Sequence, residues 1–401
     1  MTPPARRSLL RNRDGHEHGR VTMVELFFDL VFVFAVTQLS HTLLEHLDLA
    51  GALQTTLLFF AVWWVWVYTS WCTNWLDPER APVRLMLFAL MLGGLLLSSS
   101  LPQAFAERGL LFAGAYAAMQ VGRTLFMVYA LRGHRSELRR NFVRIAVWLM
   151  VSATLWIAGG LSEGQARFAW WAAALLIEFA GPWMFFWVPG LGRSSISDWD
   201  VDGGHLAERC ALFVIIALGE SILVTGATFA GLPLDPVHVS AFAIAFVGSV
   251  AMWWLYFDTG AERASQRIVA ASDPGRQARI AYTYQHPLIV AGIIVCAVAD
   301  ELVLMHPGHV DNAGMAAIIG GPALYLLGNA LFKWTTNDRR TPPLSHLAGL
   351  ALLAALTALA LSLHPSALVL GGATTAILVL VAAWEWLALR RGASQPRPAA
   401  H

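Results

Sequence analysis

Apolar runs of about the 20 residues that a helix needs to cross a bilayer recur along this chain, centred near Phe32, Phe60, Leu92, Met119, Leu149, Leu175, Ile216, Phe246, Ile293, Leu324, Leu353 and Leu378. Few folds are open to such a pattern. Backbone amides and carbonyls in hydrocarbon must be satisfied within their own segment, so each run is read as a helix. The chain is therefore expected to be an all-α integral membrane protein with about twelve transmembrane helices. Composition agrees, with 57% of residues hydrophobic and 13% charged, against roughly 45–50% and about 25% in soluble domains.

Orientation follows from the arginines, because short loops rich in Lys and Arg stay on the cytoplasmic side. With the amino terminus inside, cytoplasmic segments hold Arg6, Arg7, Arg11, Arg13 and Arg20, then Arg80 and Arg84, then Arg132, Arg135, Arg139, Arg140 and Arg144. Later inside segments hold Arg193, then Arg263, Arg267, Arg276 and Arg279, then Arg339 and Arg340, and finally Arg390, Arg391 and Arg397. The opposite loops offer only Arg108 and Arg167. Both termini are expected to be cytoplasmic, and no nucleic-acid partner is needed to explain the basic residues. The Arg-rich first twenty residues lead into an apolar stretch without a small-residue cleavage pattern, so the first span reads as retained and not as a signal peptide. Cys72, Cys210 and Cys296 are odd in number and lack metal-ligand spacing, which suits packed free thiols.

The chain also reads as two copies of one unit. Glu25-Leu-Phe-Phe-Asp29 through Thr37-Gln38 aligns without gaps on Glu208-Arg209 through Gly219-Glu220, placing Glu25 on Glu208 and Thr37 on Glu220. Trp63-Trp64-Val-Trp66 answers Trp253-Trp254-Leu-Tyr256, Asp77-Pro78 answers Asp273-Pro274, and Gly122-Arg123 answers Gly328-Asn329, all in the same order. An even number of spans per copy predicts two parallel six-helix pseudo-repeats. The expected organisation is a cytoplasmic tail over 1–20, a first repeat over 21–190, a cytoplasmic linker over 191–204, a second repeat over 205–391 and a cytoplasmic tail over 392–401.

The Glu25-to-Gln38 segment, the His205-Leu-Ala-Glu208-Arg209 to Gly219-Glu220 segment and the Trp-rich second and eighth spans resemble the bacterial low temperature requirement A family. The resemblance runs from about Arg20 to about Arg391. It implies a multi-spanning protein of the bacterial plasma (inner) membrane and brings no molecular activity with it.

Function has to be argued from the charges inside the spans. Glu25 and Asp29 lie about 40° apart on one helix face at 100° per residue, a face that Val36 and Ser40 continue. Arg209 and Arg123 are the candidate cations for a charge network of Glu25, Asp29, Glu208, Arg209 and Arg123. Glu25 and Glu208 also suit helix amino termini, where the helix dipole favours anions. Glu220 lies about 18 Å deeper than Glu208 at 1.5 Å per residue, near the midplane and beside Gly219. An acid there is a functional-site candidate by default, and Thr37 and Gln38 hold the matching depth in the first copy. Glu178 in the sixth span and His286 before Pro287 complete the ion-binding candidates.

Other features read more simply. His41, His46, His238, His306, His309 and His364 fall on the extracytoplasmic side without paired metal spacing, so no metal site or cofactor is assigned. Asp198-Trp-Asp200-Val-Asp202 imitates a calcium loop, but Arg209 stands where its bidentate Glu belongs. Most of the seventeen Trp residues, Trp63, Trp64, Trp66, Trp71 and Trp75 among them, are expected to anchor span ends at the interface.

The features favour a proton- or cation-linked transporter or channel with a midplane acid at Glu220. The alternatives are a membrane-embedded lipid- or isoprenoid-modifying enzyme, for which no nucleophile motif or nucleotide loop is present, and a non-transporting membrane sensor or scaffold. The lipid bilayer and a small ion or small molecule are the expected partners, and an oligomer is compatible with the sequence.

Overall fold

The structure is a computed structural model describing residues 8–11, 20–133, 136–195, 201–258, 274–336 and 341–393. Among these residues the chain is helical, with no strand beyond the isolated bridges Leu10 to Leu76 and Val188 to Gly192. The twelve long helices are α1 (Met23–Glu45), α2 (Leu49–Trp75), α3 (Ala81–Ser100), α4 (Gly109–Ala130), α5 (Ser136–Leu161), α6 (Gly164–Trp183), α7 (Gly203–Ala230), α8 (Pro236–Tyr256), α9 (His286–Met305), α10 (Asn312–Thr336), α11 (Leu344–Leu363) and α12 (Ala367–Ala393). Eleven of them have the length and apolarity to cross a membrane. α6 falls short, because Gln165, Arg167, Glu178 and three Trp residues dilute its apolar content.

Helix starts are written in the sequence. Thr22 and Glu25 form a reciprocal capping box at α1. The Asp48 carboxylate accepts the Gly51 amide at α2. Asp235 caps α8 by accepting the amides of Val237 and His238, with Pro236 at the first position; the His238 amide, aided by its ring, holds the Asp235 carboxyl below the usual range. Upstream of α9 a short turn Pro274–Ala278 runs into a π-helical segment, Arg279–Gln285. Pro287 has no amide to donate and its ring crowds the carbonyl four residues back, so the helix widens there and the His286 amide bonds to Ala281 instead.

Two compact units divide the chain. One comprises 1–209 with 273–276, the other 210–272 with 277–401, and the boundary falls within α7 between Arg209 and Cys210. In the first unit α4 packs against α5 and α3, α5 against α6, and α1 against α2 and α3. In the second, α9 and α10 pair most intimately and α8, α11 and α12 pack around them. The α9–α10 pair is possible because glycines face it. A Cβ on Gly292 would come within 2.5 Å of the Tyr325 amide nitrogen, one on Gly321 within 2.8 Å of the Cys296 nitrogen, and one on Gly328 within 2.8 Å of the Ile289 nitrogen. Small residues at such contacts are how membrane helices gain dispersion energy where lipid gives no hydrophobic drive.

Polarity is inverted relative to a water-soluble protein. Leu85, Leu92, Leu176 and Leu223 stand exposed on the outside, while Glu25, Asp29, Glu178, Arg123 and Arg209 are buried. With its eleven candidate spans, this marks a multi-pass membrane protein. The tryptophans require a correction. Trp63, Trp64, Trp66 and Trp75 are core residues, not interfacial anchors, because α2 is covered on nearly all sides and its indoles have aromatic partners, Trp64 stacking on Phe179 at 4.3 Å. Trp170, Trp183, Trp187, Trp253, Trp254, Trp334 and Trp384 are exposed.

Candidate functional site

The two acidic segments meet in the first unit. α1 presents Glu25 and Asp29 on its buried face, one turn apart, and the first turns of α7 bring His205 and Arg209 to them. Arg209 spans both acids, its Nη1 donating to Glu25 Oε1 at 3.2 Å and its Nη2 to Asp29 Oδ1 at 2.5 Å. Glu25 Oε1 also meets His205 Nε2 at 2.9 Å, and Oε2 accepts from Arg11 Nη2 at 2.8 Å and from the Thr22 amide at 2.9 Å. Trp66 donates its indole N–H to Asp29 Oδ1 at 2.8 Å, and Thr73 accepts from Arg209. Glu25, Asp29 and Arg209 have no solvent exposure.

Arg11 arrives from outside the helices. The Leu9–Arg11 segment lies along the end of α2, with the Arg11 amide donating to the Trp75 carbonyl and Leu9 accepting from the Asp77 amide. The Arg11 Nε donates to the carbonyls of Thr73 and Leu76. This fixes the guanidinium over Glu25.

His205 is held at both ring nitrogens. The Asp202 amide donates to Asn74 Oδ1, which turns the Asn74 amide nitrogen toward the Asp202 carbonyl and toward His205 Nδ1 at 3.3 Å. Nδ1 therefore faces a donor, and Nε2 lies between Glu25 Oε1 at 2.9 Å and the Arg11 Nη2 donor at 3.1 Å. Two carboxylates face two guanidiniums around the His205 ring, and their formal charges cancel. Cancellation is incomplete at the level of hydrogen bonds, because Asp29 Oδ2 and Arg209 Nε are buried without a partner.

Arg123 and Glu178 belong to a different cluster in the same unit. Arg123 donates to the Val65 carbonyl, Thr69 and Gln120 Oε1, and touches neither Glu25 nor Asp29. Gln120 in turn donates to Glu178 at 3.1 Å. Glu178 further accepts from Tyr116 at 2.6 Å, Ser152 at 2.5 Å and Trp156 at 3.0 Å, so α4, α5 and α6 converge on one carboxylate. Four donors are more than an ion-exchanging acid needs, and this arrangement ties helices together. Replacing Glu178 with alanine strands the buried Tyr116 and Trp156 donors at about 1–3 kcal/mol for each lost partner, while Ser152 and Gln120 keep the Ala174 carbonyl and the Tyr116 hydroxyl. The variant is expected to melt far below the wild type in detergent, as followed by tryptophan fluorescence, and Glu178→Gln to sit between them. A Glu178→Ala protein melting with the wild type would refute the tie.

The remaining sequence candidates stand apart from these clusters. Glu208 is exposed and accepts the Val21 amide. Thr37 is half-buried and returns its hydroxyl to the Val33 carbonyl, and Gln38 beside it is half-buried as well. In the second unit, His286 is fully buried between the Tyr256 hydroxyl at 2.7 Å on Nε2 and the Ala281 carbonyl at 2.9 Å on Nδ1, so both nitrogens are satisfied. Glu220 is buried, with 6% exposure, and its carboxylate makes no hydrogen bond or ion pair among the described residues. The thiols of Cys72, Cys210 and Cys296 are free and buried. Among the described residues no three His, Cys, Asp or Glu side chains gather as metal ligands. The calcium-like stretch over 198–200 lies outside the described residues.

Comparison with known proteins now bears on this geometry. The model of the bacterial low temperature requirement A protein family matches residues 20–383. The chain belongs to that family. It is 43% identical over 382 residues to an uncharacterized protein of Rhizobium meliloti (strain 1021), covering 94% of this chain and 92% of the relative. No solved structure matches. For this low temperature requirement A protein, the residues the sequence reading missed are Arg11, Asn74, Trp66 and Thr73. Arg11 looked like one more cytoplasmic arginine and Trp66 like one more anchor. Only contacts across sequence separations of 14 and 37 residues give them their roles.

Proposed function

We propose that this low temperature requirement A family protein is a proton- or cation-linked transporter or channel of the bacterial inner membrane. Both termini lie in the cytoplasm, the two six-helix halves are parallel repeats, and Glu220 is the working acid. The observation that carries the reading is the contrast between Glu220 and the other buried glutamates. Glu178 has four donors and Glu25 is held by Arg209, Arg11 and His205, whereas Glu220 has no such partner among the described residues. A carboxylate left unpaired on a membrane helix costs about 2.5–3.5 kcal/mol if charged, and exchange of a proton or cation is a use that justifies that cost. The Glu25–Asp29–Arg209 cluster then serves as a charge-balanced anchor for the start of α7.

The test is flux. Purified protein in proteoliposomes carrying a pH-sensitive dye should move protons or a metal cation down an imposed gradient. Glu220→Gln is expected to melt like the wild type and to abolish that flux. Wild-type liposomes no leakier than empty ones, or undiminished flux through Glu220→Gln, would end the proposal.

A further inference from the structure

The second unit holds one more unpaired acid, and it faces a cavity. Asp300 on α9 lines a small recess of about 30 Å³ together with Thr374 and Thr375 of α12, Cys296, and the backbones of Gly248 and Gly371. Among the described residues Asp300 makes no hydrogen bond and no ion pair, and no Arg, Lys or His lines the recess. The Thr374 hydroxyl donates to the Gly371 carbonyl at 3.0 Å, which commits its hydrogen and leaves its oxygen lone pairs available. Small residues keep the space: a Cβ on Gly248 would press to 3.3 Å from the Thr375 hydroxyl, and one on Gly371 to 3.2 Å from Val303.

We propose that this recess is a binding site for a monovalent alkali cation, sodium or potassium, with the Asp300 carboxylate and the Thr374 and Thr375 hydroxyls as its oxygen donors. The donor set decides the class of ion. Carboxylate and hydroxyl oxygens are hard ligands that suit alkali and alkaline-earth ions. A single carboxylate supplies one negative charge, which a monovalent ion neutralises, whereas calcium affinity is built from several charged ligands. The remaining walls, Met252, Ala299, Val303, Ile318 and Leu378, are apolar. They lower the dielectric beside the carboxylate, which strengthens its attraction for an ion. The assignment does not depend on Glu220, since it concerns equilibrium binding and not flux.

Its test uses the full-length protein purified in detergent with choline as the only cation. Sodium chloride or potassium chloride is titrated against choline chloride at constant ionic strength, and unfolding is followed by tryptophan fluorescence alongside equilibrium binding of radioactive sodium or rubidium. The wild type is expected to show a saturable, choline-insensitive rise in melting temperature and about one bound ion, since a ligand bound only by the folded state stabilises it. Asp300→Asn should weaken apparent affinity at least about tenfold, a loss of about 1.4 kcal/mol, while melting in choline alone like the wild type. Thr374→Val should weaken binding by a smaller factor, and it decides the matter if Asp300→Asn does not fold. Equal stabilisation by choline, absence of bound ion, or binding that survives both substitutions would overturn the site.

Discussion

Replacing Arg209 by alanine is expected to destabilise the protein by about 3–5 kcal/mol, the cost of leaving a buried charge uncompensated. Arg209 is fully buried and bridges Glu25 and Asp29. Its loss leaves Asp29 with only the Trp66 indole and leaves Glu25 to Arg11 and His205. The guanidinium also lies 5.8 Å from the Trp66 ring and 5.9 Å from the Phe28 ring, so packing is lost with the charge. The control separates cluster chemistry from volume. Removing both acids together with the cation, as Glu25→Gln, Asp29→Asn and Arg209→Met in one protein, should recover most of the stability, because no buried charge is then unpaired except the more exposed Arg11. Melting in detergent and the fraction eluting as a monodisperse species on size exclusion measure both. A triple variant no better than Arg209→Ala would mean that the cluster contributes through shape and not through charge.

The second large effect is expected at Gly292. A valine there would drive its Cβ to 2.5 Å from the Tyr325 nitrogen and 2.6 Å from its Cα, a distance that only backbone movement can relieve. Overpacking a core ordinarily costs about 1–3 kcal/mol, and a clash with main chain belongs at or above the upper end of that range. Separating α9 from α10 would also disturb the Gly321 and Gly328 contacts, because all three lie on the same interface. Gly320 is the internal contrast. It occupies the same helix as Gly321, yet nothing lies within 4 Å of where its Cβ would stand. Gly320→Ala is expected to be neutral or to stabilise by up to about 1 kcal/mol through helix propensity. Similar melting of the Gly292→Val and Gly320→Ala proteins would contradict the close-packed interface.

Much of the architecture is legible without coordinates, for local reasons. Span length and apolarity are properties of one segment at a time, so each helix from α1 to α12 can be located from its own residues. The same holds for the helix starts at Thr22, Asp48 and Asp235, because a cap is satisfied within three residues. That Glu25 and Asp29 share a face is a consequence of helical spacing alone. The second ligand of the cluster was half legible: Arg209 could be nominated because it sits beside an aligned acid, yet Arg123 was an equal nominee by type and depth. In the fold Arg123 is occupied by Gln120, Thr69 and a carbonyl.

The sequence by itself determined that this chain lives in a membrane and where its helices run, because residence in hydrocarbon is dictated by segment composition. The tertiary structure decided which charges meet. Glu25 and Asp29 find Arg209 and His205 about 180 positions away, and Glu178 finds Tyr116, Gln120, Ser152 and Trp156. It also decided that Trp66 is a hydrogen-bond donor and not an anchor, and that Asp300 faces a recess. Electrostatic partnership depends on distances of a few ångströms between segments that the sequence keeps far apart. Helical periodicity says which way a side chain faces along its own axis, and only packing says what it faces.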